Sequence, residues 1–222
     1  YRGAAAYRCP PEAFLIRFAA GNIDRIDENK NIKEQIEKRN GFAIDTGIFN
    51  AESYQKETYD QVFFGSAGRK VTLNRASPED IALWYPKFNT DLTFQIPSLG
   101  LNTKGSFNIF YDYEQIKIRN ARELYSKSPY ATYIYGDNPV VIIHNNLSGN
   151  NKKIVMIKDS LALVVAPFLS LGVETLELID ARYFQGSVQT YIKQSMPDMV
   201  MVLYGQMAID PDAFSISCFD LR

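Results

Sequence analysis

The feature that most constrains the fold is an alternation of short apolar runs with helical patterns in the last third of the chain. Four apolar runs have the length of a strand, at residues 140–143, 153–157, 173–179 and 199–203. One helical pattern begins near Leu161 and another spans residues 187–195. Strands that alternate with helices form parallel sheets with right-handed crossovers and helices on both faces. The sequence therefore predicts an α/β fold, a three-layer sandwich with a mostly parallel sheet.

The first half of the chain has a less regular pattern. Residues 77–80 carry a Ser-Pro helix-start signal, and Pro86 would end that helix after about two turns. The chain has no repeats and no low-complexity linker. We therefore expect one domain over residues 1–222, with an irregular or helical lead-in at 1–60 and the sheet at 130–205.

Charge and length exclude several classes of function. The 222 residues carry 24 basic and 25 acidic side chains, a formal net charge of −1, so no global field would attract nucleic acid or an anionic membrane. No run reaches the roughly 20 apolar residues of a membrane span, and the chain does not start with a signal-peptide pattern. A chain of this size can build its core without a metal or cofactor, and we predict none.

Three further features leave alternatives open. The 14 Tyr and 14 Phe residues suit core packing, and some could stack on sugars or peptides. Cys9 and Cys218 could be bridged, buried separately or free. The acidic cluster at residues 24–29 lacks the central glycine and closing glutamate of a calcium loop, so we expect a solvated surface there.

Polar and aromatic side chains follow three of the predicted strands. Ligands bind outside the carboxyl ends of the strands in sheets of this kind. The residues at those positions include Asp159, Ser160, Arg182, Tyr183 and Tyr204. We therefore predict a site at one rim of the sheet, with Ser160 as candidate nucleophile and the others as substrate contacts.

Asn138 joins this rim if the run at 140–143 pairs antiparallel with the run at 153–157. Its amide would then lie beside Ser160. His144, the only histidine, would lie at the far end, about seven residues or roughly 20 Å away at about 3.3 Å per residue. It is therefore badly placed to act as the base of Ser160.

Each rim residue also has a structural alternative. A serine at a strand-to-helix turn can expose its hydroxyl as a nucleophile, or it can cap the helix. Arg182 could bind a carboxylate or phosphate, or pair with Asp180 or Asp159. Tyr204 suits packing as well as contact with a substrate.

Five segments, taken together in their order, resemble a known family. They are FFGSAGR, YGDNPVVII, KIVMIKDS, LELIDARYF and YIKQSMPDMVMVLYG. This set resembles the DHHW family of bacterial proteins, relatives of the alginate acetylation proteins in the SGNH-like group. The resemblance implies an SGNH-like or flavodoxin-like sandwich, Ser160 as the nucleophile, Asn138 in an oxyanion role, and an Asp-His motif upstream as acid and base.

The Asp-His motif of that family does not occur in this sequence. Neither D-H-H-W nor D-x-H is present, and residues 3–8 resemble the segment that follows the motif in the family. We therefore expect that the chain starts just beyond its catalytic base. Three explanations stay open: the motif has been removed, it lies in upstream residues, or it has been lost in evolution.

The resemblance implies an SGNH-like esterase or O-acyltransferase outside the cytoplasm, at the cell surface, in the periplasm or secreted. Its substrate would be a bacterial cell-surface or secreted polysaccharide, or an acylated small molecule, with no nucleic-acid partner. The alternative is a noncatalytic carbohydrate- or partner-binding module that uses Arg182 and Tyr183. A flavodoxin-like nucleotide-binding domain is a third possibility, but the sequence lacks a Gly-rich or acidic phosphate site.

Overall fold

The computed structural model describes residues 13–18, 34, 46–71, 73 and 76–205. The strands in these residues are β1 (Ala13–Phe18), β2 (Tyr54–Phe63), β3 (Glu79–Pro86), β4 (Leu92–Ile96), β5 (Leu101–Gly105), β6 (Val140–Asn145), β7 (Lys153–Lys158), β8 (Thr175–Asp180) and β9 (Met199–Gly205). The α-helices are α1 (Ser66–Val71), α2 (Ala121–Ser126), α3 (Ala166–Leu169) and α4 (Val188–Ser195). Short 3₁₀ helices occur at Thr46–Phe49, Ala51–Ser53, Pro97–Leu99, Phe107–Phe110, Tyr113–Gln115, Pro129–Thr132, Ser160–Val164 and Ser170–Gly172. None of the helices in the described residues has the length and apolar character needed to cross a membrane.

Seven of the described strands form one mixed sheet in the order β1-β9-β7-β8-β6-β4-β5. Strands β1, β9, β7 and β8 are parallel neighbours. Strands β6, β4 and β5 extend the sheet by antiparallel pairing. The predicted α/β fold is confirmed, and the parallel half of the sheet is built from the last third of the chain together with β1.

The sheet has a core on each face, which makes the three-layer arrangement. In the central strand β7, Ile154 and Met156 join the larger core cluster, and Val155 and Ile157 join the smaller one. This division follows from the alternation of side chains along a strand. Helix α4 covers the smaller cluster through Val188. Helix α3 and the β2–β3 hairpin cover the larger one.

The helix predicted to start at residues 77–80 and to end at Pro86 is wrong. Glu79–Pro86 instead forms β3, which pairs antiparallel with β2. Ile81 and Leu83 are buried and alternate with less buried neighbours. This period of two is the pattern of a half-buried strand, and its burial outweighs the local Ser-Pro signal. The lead-in also supplies β1, which pairs with β9 at the sheet edge and was not predicted from the sequence.

The pairing of β6 with β7, which was the condition for placing Asn138 at the rim, does not occur. Strand β6 pairs antiparallel with β8, with Val140 opposite Ile179, and β8 in turn pairs parallel with β7. Because β6 runs against β8, it begins at the edge where β7 and β8 end. Asn138 therefore lies at the predicted rim, although through a different neighbouring strand.

Candidate functional site

Ser160 begins a 3₁₀ helix that follows the central strand. The helix spans Ser160–Val164, and its cap is Asp159. The Asp159 Oδ1 atom accepts a hydrogen bond of 2.9 Å from the Leu161 backbone N–H, and the Asp159 N–H donates to the Leu203 carbonyl at 3.2 Å. The capping role considered for Ser160 therefore belongs to its neighbour. Asp159 is buried and holds the turn. Its role as a substrate contact stays a prediction.

Ser160 is a partly exposed residue, and its hydroxyl makes no hydrogen bond within the described part of the chain. Its backbone N–H is the first of the helix, where no intrahelical acceptor is available. Tyr130 reaches the same turn, and its hydroxyl donates to the Leu161 carbonyl at 3.4 Å. The turn thus presents a partly exposed serine whose hydroxyl is not committed to a structural contact.

Four charged residues form a closed network at the same rim: Asp137, Lys158, Asp180 and Arg182. The Lys158 Nζ atom lies 2.6 Å from Asp137 Oδ1 and 3.0 Å from Asp180 Oδ2. Arg182 binds Asp180 bidentately, with Nε at 2.8 Å and Nη2 at 2.6 Å. The same Nη2 lies 3.0 Å from Asp137 Oδ2. Two positive and two negative charges therefore cancel within the network.

The network is buried where it meets the strand ends. The side chains of Lys158 and Asp180 are 0% exposed. Burial alone would raise the pKa of Asp180, but the hydrogen bonds and charges of Arg182 and Lys158 outweigh burial and hold this pKa below its usual value. The hydrogen bonds to Asp180, together with nearby carboxylate charge, raise the pKa of Arg182 despite its partial burial. The contacts between Asp180 and Arg182 therefore favour the ionised form of each of these two side chains.

Arg182 and Tyr183 differ in what they offer to a ligand. Of the two partners predicted for Arg182, the structure has Asp180 and adds Asp137. Its charge is therefore already balanced. Tyr183 is 50% exposed, and the Arg182 guanidinium lies 5.2 Å from the centroid of its ring. The rim thus presents the half-exposed ring of Tyr183, with the Arg182 guanidinium packed against it.

The amide of Asn138 is used inside its own turn. Its Nδ2 donates to the carbonyls of Tyr135 and Gly136, at 3.2 and 3.3 Å, and its Oδ1 accepts from the Ser98 hydroxyl at 3.2 Å. An oxyanion donor needs an N–H group that is free to point at the substrate. These contacts do not support the predicted oxyanion role of Asn138.

Tyr204 lies in the interior and not on the surface of the rim. It is 1% exposed and belongs to the smaller core cluster beneath α4. Of its two predicted roles, the structure supports packing, and contact with a substrate stays a prediction.

His144 lies at the opposite end of the sheet from Ser160, as predicted. It is opposite Thr175, which is also the partner of Lys153 at the start of β7. Its Nδ1 lies 3.1 Å from the Thr175 hydroxyl oxygen. With only one histidine in the sequence, no imidazole of this chain reaches Ser160.

No group of three or more His, Cys, Asp or Glu side chains in the described ranges is arranged to hold a metal ion. The acidic cluster at residues 24–29 lies outside the described residues, as do Cys9 and Cys218.

Lys158 and Asp137 belong to the charge network at the rim but were not among the candidate site residues predicted from the sequence. One signal was present: Lys158 directly follows the apolar run IVMI at 154–157, and Asp180 directly follows the segment TLELI at 175–179. Parallel strands in register bring their last residues together, and Lys158 is indeed opposite Asp180. The contact with Asp137 depends on the pairing of β6 with β8, which the sequence pattern did not reveal.

The fold of this chain is similar to those of two solved proteins. PatB1 of Bacillus cereus with a sulfonyl adduct has 20% sequence identity and a TM-score of 0.63, covering 86% of this chain and 59% of that chain. A DHHW family protein from Eubacterium siraeum has 18% identity and a TM-score of 0.62, covering 89% of this chain and 60% of that one. The present chain thus spans less than two thirds of the length of either protein.

Sequence comparisons do not assign the chain to a family. No protein-family profile matches it, and no curated protein matches it. The similarity to solved structures is at the level of the fold, with identities of 18 and 20%. It agrees with the segments that resemble the DHHW family. The chain therefore has the fold shared by PatB1 and a DHHW family protein, which confirms the resemblance found in the sequence.

Proposed function

We propose that this chain carries the nucleophile of an SGNH-like esterase or O-acyltransferase that acts on a bacterial cell-surface or secreted polysaccharide. The observation that carries the proposal is the position of Ser160, a partly exposed residue just after the carboxyl end of β7 whose hydroxyl makes no hydrogen bond within the described residues. Ligand sites of open α/β sheets occur at this edge. A likeness of fold to PatB1 supports the assignment.

In the proposed reaction, Ser160 Oγ attacks the carbonyl carbon of an ester. The hydroxyl proton passes to a base, and the alcohol of the ester leaves with a proton as the acyl-enzyme forms. Water or a sugar hydroxyl then attacks the acyl-enzyme and restores the serine. The first acceptor makes the protein an esterase, and the second makes it an acyltransferase. PatB1 was solved with a sulfonyl adduct, and sulfonylating reagents in general react with nucleophilic side chains.

The base in this scheme is not His144, which lies at the other edge of the sheet. The proposal therefore requires an Asp-His motif from outside this sequence, as the DHHW resemblance implies. Without such a base, acyl chemistry would be limited to what substrate binding and oxyanion stabilisation provide.

The four-residue charge network supports a neutral ester as the substrate. Asp137, Lys158, Asp180 and Arg182 balance one another, so the rim offers no uncompensated cation from this set. A neutral acyl-sugar would need no counter-charge, and the exposed face of Tyr183 suits packing against a sugar ring. Action outside the cytoplasm is part of the same proposal and rests on the family resemblance.

The experiment is active-site labelling with a fluorophosphonate probe, together with turnover of p-nitrophenyl acetate. It compares the chain as it stands, any longer native form of the protein, and the Ser160→Ala variant of each. We expect labelling and turnover in the form that contains the Asp-His motif, and loss of both with Ser160→Ala. If every form is inert, or if Ser160→Ala changes nothing, Ser160 is not the nucleophile.

The second candidate is a noncatalytic carbohydrate- or partner-binding module on the same fold. The position of His144 favours it, because this chain lacks an imidazole near Ser160. The exposed Tyr183 ring, held beside Arg182, would then serve recognition alone. A longer native form without an Asp-His motif, together with sugar binding that is weakened by Tyr183→Ala, would support this module over the enzyme.

A further inference from the structure

Two neighbouring hollows lie on either side of residues 88–90, away from Ser160. The first has a volume of about 460 Å³ and the second about 430 Å³. Phe88, Asn89 and Thr90 line both of them. We call the two hollows together the Phe88 cleft.

The second hollow of the Phe88 cleft lies at the amino edge of the parallel strands, opposite the rim that carries Ser160. Residues 88–90 precede β4, whose first residue, Leu92, is opposite Asn145. Asn145 ends β6 and lines the second hollow. The second hollow and the Ser160 rim are therefore separated by about the length of β6, roughly 20 Å for six residues at about 3.3 Å each. Within the described part of the chain, the first hollow shares no lining residue with the rim.

The first hollow combines aromatic faces with uncommitted amides. Phe88 is 36% exposed and is held in place by an edge contact with Tyr54, at 5.8 Å between ring centroids. Gln55 and Asn89 are exposed, and neither makes a side-chain hydrogen bond within the described residues. Because an amide both donates and accepts, it can pair with a hydroxyl in either direction.

The aromatic part of the cleft is preformed. Tyr85 and Tyr113 line the first hollow, and their hydroxyl oxygens lie 3.3 Å apart. Thr90 Oγ1 accepts a hydrogen bond of 2.9 Å from the Phe107 backbone N–H and so fixes the segment between the hollows. A ligand would therefore meet surfaces that need little ordering, which favours binding.

The charges of the cleft restrict the class of ligand. Among the described residues, those that line the cleft include the carboxylate Glu57 and no lysine, arginine or histidine. An acidic polymer would find no counter-charge there and would meet repulsion from Glu57. The remaining lining is aromatic, apolar, amide or hydroxyl in character.

We propose that the Phe88 cleft is a binding site for a neutral, hydroxyl-rich glycan chain, separate from the Ser160 rim. The C–H faces of the sugar rings pack on Phe88, while the amides of Gln55 and Asn89 pair with sugar hydroxyls. The inference goes beyond the proposed acyl chemistry and does not require Ser160 to be a nucleophile. It adds a second point at which a polysaccharide is held.

The test is titration of the intact chain with chitotetraose and with cellotetraose, followed by calorimetry and by backbone amide chemical shifts. An oligoproline peptide serves as a probe for a peptide groove. We expect at least one tetrasaccharide to bind and to shift the amides of Phe88, Asn89 and Asn108, whereas the peptide does not bind. Amides at the rim, such as those of Ser160, Arg182 and Tyr183, should not shift, which separates this binding from the proposed catalytic site.

Two variants locate the binding, and a third serves as control. Phe88→Ala should weaken the affinity about fivefold to tenfold through loss of the aromatic face. Gln55→Ala, an exposed strand residue whose loss leaves the core intact, should weaken it about threefold. Met196→Ala removes a side chain that is 80% exposed beyond the end of α4 and should have no effect.

Three outcomes would overturn the proposal. In the first, neither tetrasaccharide binds. In the second, one binds but Gln55→Ala and Phe88→Ala bind it as tightly as the parent chain does. In the third, oligoproline binds the cleft more tightly than the sugars, which would make it a peptide groove.

Discussion

Lys158 is a charged residue that the fold buries completely, and it is tolerated because two carboxylates surround it. Its Nζ contacts Asp137 and Asp180, which are themselves joined through Arg182. Removing one partner of a buried ion pair leaves an uncompensated charge in a low-dielectric interior. Each member of the network is therefore required by the others.

Replacement of Lys158 by Met should destabilise the protein by about 3–5 kcal/mol, because Asp180 would keep only one cation. Urea unfolding measures the change. Lys104→Met is the control, since Lys104 and Asp91 form an exposed pair with 64% and 37% of their side chains accessible. It should cost less than about 1 kcal/mol. Equal effects of the two variants would show that burial of the network contributes nothing.

Asp180 should make stability depend on pH in the acid range. Its pKa is lowered in the folded protein by Arg182 and Lys158 against the effect of burial. The unfolded chain therefore takes up a proton first as the pH falls below about 4. The stabilisation is complete above that pH and is lost as the pH falls through the lower pKa of the folded state.

The measurement is the free energy of unfolding of the parent chain and of Asp180→Asn at a series of values between pH 5 and pH 2.5. Asparagine does not titrate, so the variant should lose less stability than the parent across this range. Asp91→Asn, in the exposed pair with Lys104, should follow the parent. Parallel curves for the parent and Asp180→Asn would contradict the prediction.

At the scale of elements, the turn between β7 and the helix Ser160–Val164 depends on its cap. Asp159 satisfies the Leu161 N–H from its side chain and ties the turn to β9 through the Leu203 carbonyl. Helix α4 has a comparable cap, where Ser187 accepts a hydrogen bond of 3.2 Å from the Thr190 N–H. The two caps allow a matched comparison, because only the first lies beside Ser160.

Asp159→Ala and Ser187→Ala should each cost about 1 kcal/mol of stability, the usual effect of losing a helix cap. They should differ in function. In a form of the protein that reacts with the fluorophosphonate probe, Asp159→Ala should slow labelling of Ser160 at least tenfold, because the turn loses its fixed geometry. Ser187→Ala should label at the parent rate. Equal labelling rates in both variants would mean that the cap does not position the serine.

At the scale of the whole molecule, we propose that the first half of the chain and the sheet form one domain. Ile81 and Leu83 of β3 belong to the same core cluster as Ile154 and Met156 of β7. Packing that crosses between two parts of a chain couples their unfolding. The β2–β3 hairpin should therefore not unfold separately.

Trp84, the only tryptophan of the chain, is in β3 and reports on that hairpin. During urea unfolding, its fluorescence and the far-ultraviolet circular dichroism of the whole chain should give the same midpoint. The control is a Trp84→Phe variant, which should keep the dichroism midpoint within about 0.5 M urea and lose the fluorescence change. A fluorescence transition at clearly lower urea would indicate two independent units.

Elements determined by their own local sequence pattern were predictable, whereas those determined by contacts with distant parts of the chain were not. Strands β7, β8 and β9 were predictable because runs such as IVMI at 154–157 are apolar on both faces, as parallel strands inside a sheet require. Strand β3 was missed because the Ser77-Pro78 signal is local, whereas its burial comes from packing on the large core. The contact of Lys158 with Asp137 depends on which strand β6 joins, and that choice is made by tertiary packing.

The neighbours β1 and β9 have a consequence for how the protein is made. They pair along their whole length, from Ala13 with Val200 to Phe18 with Gly205. During synthesis β1 is the first of the described strands to leave the ribosome. Strand β9, which lies between β1 and β7 in the sheet, is the last. Contacts so distant in sequence form slowly because of the loop that must close. Until then β1 and β7 each present an open edge, and a chaperone that shields such edges during translation should increase the yield of folded protein.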